Sequence, residues 1–165
     1  MDRRINPPRT IAAAAVLAVL SLTPAWAADA PAGMGMTDPG AIKWYDVPPN
    51  MPKGGKLAVL QGDPGKSGPF VIRLMTPAGY KIAPHWHTQA ENLTVISGAL
   101  YLGMGEKSEL KKTHALRAGG FHFLPGKTPH YAFTKTATVV QVHGEGPFDL
   151  TYVNPDDNPE KMAKK

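Results

Sequence analysis

From Trp44 onward the chain is a succession of short runs suited to extended backbone, each four to six residues long and closed by Gly, Pro or Asp. The runs cover residues 56–60, 70–75, 93–96, 100–104, 121–124, 131–134, 139–143 and 148–153, and they are rich in β-branched and aromatic types. Gly62-Asp63-Pro64-Gly65 ends the first, Pro77-Ala78-Gly79 the second and Ser97-Gly98 the third. No stretch between them is long and periodic enough for a convincing helix. With 17 glycines and 17 prolines to supply tight turns, and no internal repeat, eight or more such strands fold as an all-β sandwich or barrel. The 165 residues suffice for one domain of that kind and for no second of ordinary size.

The first thirty residues follow a different logic. Arg3, Arg4 and Arg9 precede an apolar stretch over residues 11–20, and Ala25-Trp26-Ala27 then offers small residues at the −1 and −3 positions of a cleavage site. The apolar stretch is about half of the ~20 residues a membrane-crossing helix requires. The expectation is a cleaved signal peptide over 1–27, a mature chain beginning at Ala28, and a periplasmic protein with no stable membrane insertion. Arg3-Arg4 suggests a twin-arginine signal, but Asn6-Pro7-Pro8 interrupts the apolar pattern expected after it, which favours export of the unfolded chain. A flexible arm is expected over 28–43, a barrel over 44–153 and a frayed tail over 154–165.

Removal of residues 1–27 lowers the formal charge from +5 to +3. Several of the remaining lysines sit in the tail, and no basic stripe is interleaved with aromatics, so nucleic acid is excluded as a partner. The absence of cysteine removes disulfides, thiolate ligands and a Cys nucleophile together.

Chemistry concentrates in one place. His85 and His87 lie two residues apart, so in an extended strand both imidazoles project from the same face. Glu91 follows after three residues, enough for a short loop that lets it open the neighbouring strand and face the same interior. Two imidazoles and a carboxylate are a donor set suited to non-haem iron and related water- or oxygen-activating ions. Trp86 faces away by the same alternation. Gln141 and His143 share a face of a later strand with Val139 and are candidates to line a substrate pocket. His114 and His122 read as solvated or structural.

The spacing is more specific than the His-x-His pair. Gly79 is followed after five residues by His85, then His87, Glu91 and, six residues further, Gly98; Gly119, Pro125 and His130 follow at intervals of six and five. This resembles both sequence motifs of the cupin superfamily. The first motif is complete. The second departs where the family usually has a glycine two residues after the proline, here Lys127, and an asparagine four after the histidine, here Thr134; Gly126, one place early, suggests a shifted turn.

The resemblance implies a jelly-roll β-barrel in which His85, His87, Glu91 and His130 hold one divalent metal ion per chain, whether Fe, Mn, Cu, Zn or Ni. It implies a small-molecule metalloenzyme of dioxygenase or isomerase/lyase type. The alternative is a non-catalytic periplasmic protein that binds a metal or small ligand. The expected partners are a small molecule at the ion and, as the assembly allowed for, a second copy in a homodimer.

Overall fold

The computed structural model describes residues 35–162. The expected signal peptide, its cleavage site, and the outer ends of the arm and tail therefore lie outside the described residues. Thr37 opens the compact unit that contains all the strands.

Among the described residues eleven strands form: β1 (Tyr45–Asp46), β2 (Lys56–Gln61), β3 (Gly68–Thr76), β4 (Lys81–Trp86), β5 (Glu91–Ser97), β6 (Ala99–Met104), β7 (His114–Arg117), β8 (Phe121–Leu124), β9 (His130–Thr134), β10 (Thr138–Gly146) and β11 (Thr151–Tyr152). They make a six-stranded sheet in the order β1-β2-β3-β10-β5-β8 and a five-stranded sheet in the order β11-β4-β9-β6-β7. From β3 to β11 the chain crosses repeatedly between the two layers, and its pairings are antiparallel. This is a jelly roll.

The core follows from the alternation of side chains along each strand. Phe70 and Ile72 of β3, Leu93 and Val95 of β5, and Val140 and Val142 of β10 face Leu100 and Leu102 of β6 and Ala132 of β9 across the two layers. All nine are buried. Gly98 makes the tight reversal between β5 and β6 possible. Its φ of 77° lies in the left-handed region, and a Cβ there would press on the backbone of Ala137 and Thr138.

Three strands were not expected from sequence. β4 contains Pro84, β7 is short and polar, and β1 has two residues. The run expected over 148–153 is extended only at Thr151–Tyr152, which leaves Phe148, Asp149 and Leu150 free to line the barrel interior. The described part of the tail has regular turns rather than frayed chain, with a 3-10 turn at Pro155–Asp157 and one helical turn, α1 (Pro159–Met162). Asn154 caps the first of these through a hydrogen bond from the Asp156 N–H. Among the described residues no helix is long and apolar enough to cross a membrane.

Candidate metal centre

The ladder between β4 and β9 places His85 directly opposite His130. Their ring centroids are 4.2 Å apart. His87 lies just beyond the end of β4, with its ring 5.1 Å from His85 and 5.2 Å from His130. All three histidines are buried, and one ligand nitrogen from each falls within 4.8 Å of the others. Glu91, also buried, opens β5 as expected, but β5 is not a neighbour of β4. The loop from His87 to Glu91 passes to the other sheet, so the carboxylate approaches from the opposite wall. Its Oε2 is 3.6 Å from His130 Nε2, and it stands outside the compact group that the three imidazoles form.

The orientation of the imidazoles is set by the backbone. Each Nδ1 lies against a main-chain carbonyl: Ala83 for His85 at 2.8 Å, Thr128 for His130 at 3.0 Å, and Asp149 for His87. A carbonyl can only accept, so Nδ1 carries the proton in all three rings. Nε2 is left as a lone pair in each, the arrangement that metal-binding histidines adopt.

Electrostatics point the same way. Burial disfavours the imidazolium in all three rings. Neighbouring histidines add repulsion at His85 and His130, while at His87 the hydrogen bond to the Asp149 carbonyl and the Asp149 carboxylate partly oppose the effect. The His85 pKa is pushed well below its ordinary value, that of His87 is lowered, and that of His130 falls to about 4. The rings are therefore neutral and ready to donate at neutral pH. Burial raises the Glu91 pKa to about 7. A buried carboxyl beside neutral imidazole lone pairs, with no lysine or arginine of the described residues in the cavity lining, is a donor set suited to a positive ion. The residues fit a divalent metal.

Two further residues shape the site, and no sequence signal distinguished them. Phe148 stacks on His87 at 4.2 Å and 18°. Asp149 accepts hydrogen bonds from the N–H and hydroxyl of Thr88, at 2.7 and 2.8 Å, while its own carbonyl holds His87. Partial burial raises the Asp149 carboxyl, and the Thr88 hydrogen bonds more than reverse that, so its pKa ends below the ordinary value.

The turn before His130 is not shifted. Lys127 itself takes the left-handed conformation, φ 61°, that a glycine usually fills, and its N–H donates to the His87 carbonyl at 2.7 Å. Gly126 serves a different need, because a Cβ there would collide with the Thr88 carbonyl oxygen. Replacing Lys127 by glycine is expected to raise stability by roughly 0.5–1 kcal/mol, the relief of left-handed strain less the added chain entropy of glycine. A urea denaturation curve with an unshifted or lowered midpoint would contradict this.

Gln141 and His143 do not line the interior. Val140 and Val142 occupy the inward positions of β10, which turns the alternate residues outward. Gln141 accepts a hydrogen bond from Arg73 Nε at 3.1 Å, and His143 borders a shallow surface groove with Asn92 and Glu145. His114 is exposed on β7. His122 is partly buried opposite Leu93, and its Nε2 is shielded from solvent without a hydrogen-bond partner. Its outward neighbours Phe121 and Phe123 are 56% and 55% exposed.

Fold and cluster together define a jelly-roll barrel whose interior carries three neutral imidazoles able to hold a metal ion. Residues 71–143 match the family model described as the cupin domain. The fold is similar to that of the polyketide cyclase RemF from Streptomyces resistomycificus, at 17% identity over 80% of this chain and 94% of that one, with a TM-score of 0.65. It is similar to a protein from Methylibium petroleiphilum described as a candidate acetylacetone dioxygenase, at 17% identity over 82% and 96% of the two chains, TM-score 0.59. An RmlC-like cupin from Shewanella frigidimarina matches at 15% identity over 68% and 90%, TM-score 0.54. No curated protein matches in sequence. The cupin match thus covers residues 71–143, the stretch that holds all four candidate ligands, and the solved structures share the fold.

Proposed function

We propose that this is an exported, mononuclear cupin metalloenzyme acting on a small molecule, with His85, His87, Glu91 and His130 holding one divalent ion. The observation that carries the proposal is the shared orientation of the three imidazoles, each with Nδ1 tied to the backbone and Nε2 free beside an internal cavity of about 320 Å³. A site meant only to sequester an ion gains nothing from an adjoining cavity, whereas an enzyme needs room for a substrate over the ion. A bound ion would supply Lewis acidity, and a redox-active one oxygen chemistry as well. The chain's own part is to present three neutral donors and one carboxylate beside an apolar cavity with room for a small molecule.

The neighbours in structure include proteins described as a cyclase and as a candidate dioxygenase. At below 20% identity they support the fold and choose no reaction. Dioxygenase and isomerase/lyase chemistry are separated by experiment. Protein purified from its native compartment should contain one equivalent of metal by elemental analysis. Candidate small molecules are then tested with oxygen-uptake recording and under anaerobic conditions. Turnover that stops without oxygen identifies a dioxygenase, and turnover that persists identifies Lewis-acid chemistry. Stoichiometric metal with no turnover of any compound would favour the non-catalytic binding protein.

Export is part of the proposal and rests on residues 1–27 alone. The intact mass of the protein from the periplasmic fraction should correspond to a chain starting at Ala28. A soluble periplasmic species that retains Met1 would refute the cleaved signal.

A further inference from the structure

On the metal-site reading above, we infer that the ligand is a compact, mainly aliphatic molecule with a single monoanionic head. Phosphorylated, polycarboxylated and polyhydroxylated compounds are excluded by the walls.

The cavity beside the histidines is walled by Ile72, Leu93, Leu100, Leu102, Val140 and Val142, drawn from both sheets. Among the described residues no lysine or arginine lines it. Besides the three histidines and Glu91, its one charged residue is Asp149, whose two carboxylate oxygens are engaged by Thr88. Asn50 is the one uncharged polar residue in the lining. Arg73 pairs with Gln141 on the outer side of the sheet, and Lys53 and Lys81 border a separate surface groove. Hydroxyl groups on a ligand would thus find almost no partners, and each unpaired one costs free energy when it is buried.

Charge narrows the class further. A divalent ion with three neutral imidazoles and one carboxylate carries a net charge of +1. A monoanion neutralises it. A dianion would leave an uncompensated negative charge among aliphatic walls and beside Asp149, with no cation to balance it. Size sets the last limit. At about 30 Å³ per water-sized group, the cavity of about 320 Å³ takes on the order of ten non-hydrogen atoms.

The test uses the mature protein loaded with cobalt(II), whose visible absorbance reports coordination. It is titrated with a series of straight-chain hydroxamates sharing one monoanionic bidentate head, from aceto- to decanohydroxamate. Affinity should tighten about fourfold per added methylene, the amount expected for burial of a CH₂. The gain should stop near hexanohydroxamate, beyond which the chain outgrows the cavity. Malonate and phosphate should bind at least tenfold more weakly than acetohydroxamate.

Val142→Phe narrows the cavity and should move the optimum to a shorter chain with cobalt uptake unchanged. Ala132→Val gives the same reading if the phenylalanine variant does not fold. A profile flat in chain length, an optimum unmoved by the filled cavity, or a preference for malonate or phosphate would overturn the ligand class while leaving the metal site intact. Failure to take up any cobalt would refute the metal reading, and the ligand class with it.

Discussion

Alanine at His85, His87 or His130 is expected to weaken metal binding by at least about a hundredfold, and His114→Ala to leave it unchanged. Loss of even an outlying partner of a metal ligand typically costs about ten- to a hundredfold in affinity. Here each substitution removes a donor whose Nε2 has been fixed in place by a backbone carbonyl. The folded apoprotein should survive, since the lost group is a neutral ring that burial holds in its uncharged form. The cleanest readout is thermal. Wild-type protein with metal at a hundred times its dissociation constant should gain about 2.7 kcal/mol of stability. The three variants should lose that gain at the same concentration, and His114→Ala should keep it. Equal metal-dependent stabilisation in all four proteins would remove the site assignment.

Glu91→Gln is expected to act in opposite directions on stability and on metal affinity. In the metal-free protein burial raises the Glu91 pKa from 4.5 to about 7. A raised pKa means that its favourable contribution is fully present below about 4.5 and is lost as pH rises through about 7. At pH 8 the buried carboxylate therefore weakens the metal-free fold by about 3 kcal/mol, which a neutral glutamine would restore.

The histidines have the reverse sign. Their lowered values give stability that is present above about 6.5 and lost as pH falls toward about 4, the value for His130. The metal-free wild type should thus be most stable slightly below neutrality, and Glu91→Gln should instead reach a plateau at alkaline pH. The same variant should bind metal more weakly at pH 8. It should also lose the fall in affinity that sets in as pH drops below about 7, where the ion must displace a proton from Glu91. Urea denaturation of the metal-free proteins at pH 6 and pH 8 checks the first claim. Stability curves of the same shape for both would contradict it.

Much of this architecture could be read from the chain, and the unread parts have identifiable causes. The strands β2, β3, β5, β6, β8, β9 and β10 announce themselves as β-rich runs between turn residues. β4 was hidden by Pro84, although the His-x-His alternation had already implied extended backbone at its end. The spacing of Glu91 after His87 gave its place at the start of a strand. It carried no information on which sheet that strand joins, because three linking residues can reverse a chain within one sheet or carry it to the next.

Gln141 and His143 failed for a related reason. Alternation states which residues share a face but not which face is inner, and β10 has valines on both. β8 shows the same ambiguity, with two phenylalanines outside and His122 within. Lys127 illustrates another limit. A departure from the glycine pattern suggested a displaced turn, yet the backbone kept its conformation and the side chain accepted the strain.

The distribution of the four polar groups over the barrel bears on how an ion would come and go. His85 and His130 belong to the five-stranded sheet and Glu91 to the six-stranded one, with His87 anchored to the segment at Asp149. An ion held by all of them would join layers that otherwise meet mainly through apolar packing, with Thr138 of β10 hydrogen-bonded to the backbone of Ala99 on β6. Parting of the layers would then break several of these bonds at once, so exchange with ions in the medium would depend on opening of the barrel as well as on the strength of any one bond. The identity of the resident ion would accordingly record what was available when the chain folded, and later changes in supply would alter it slowly.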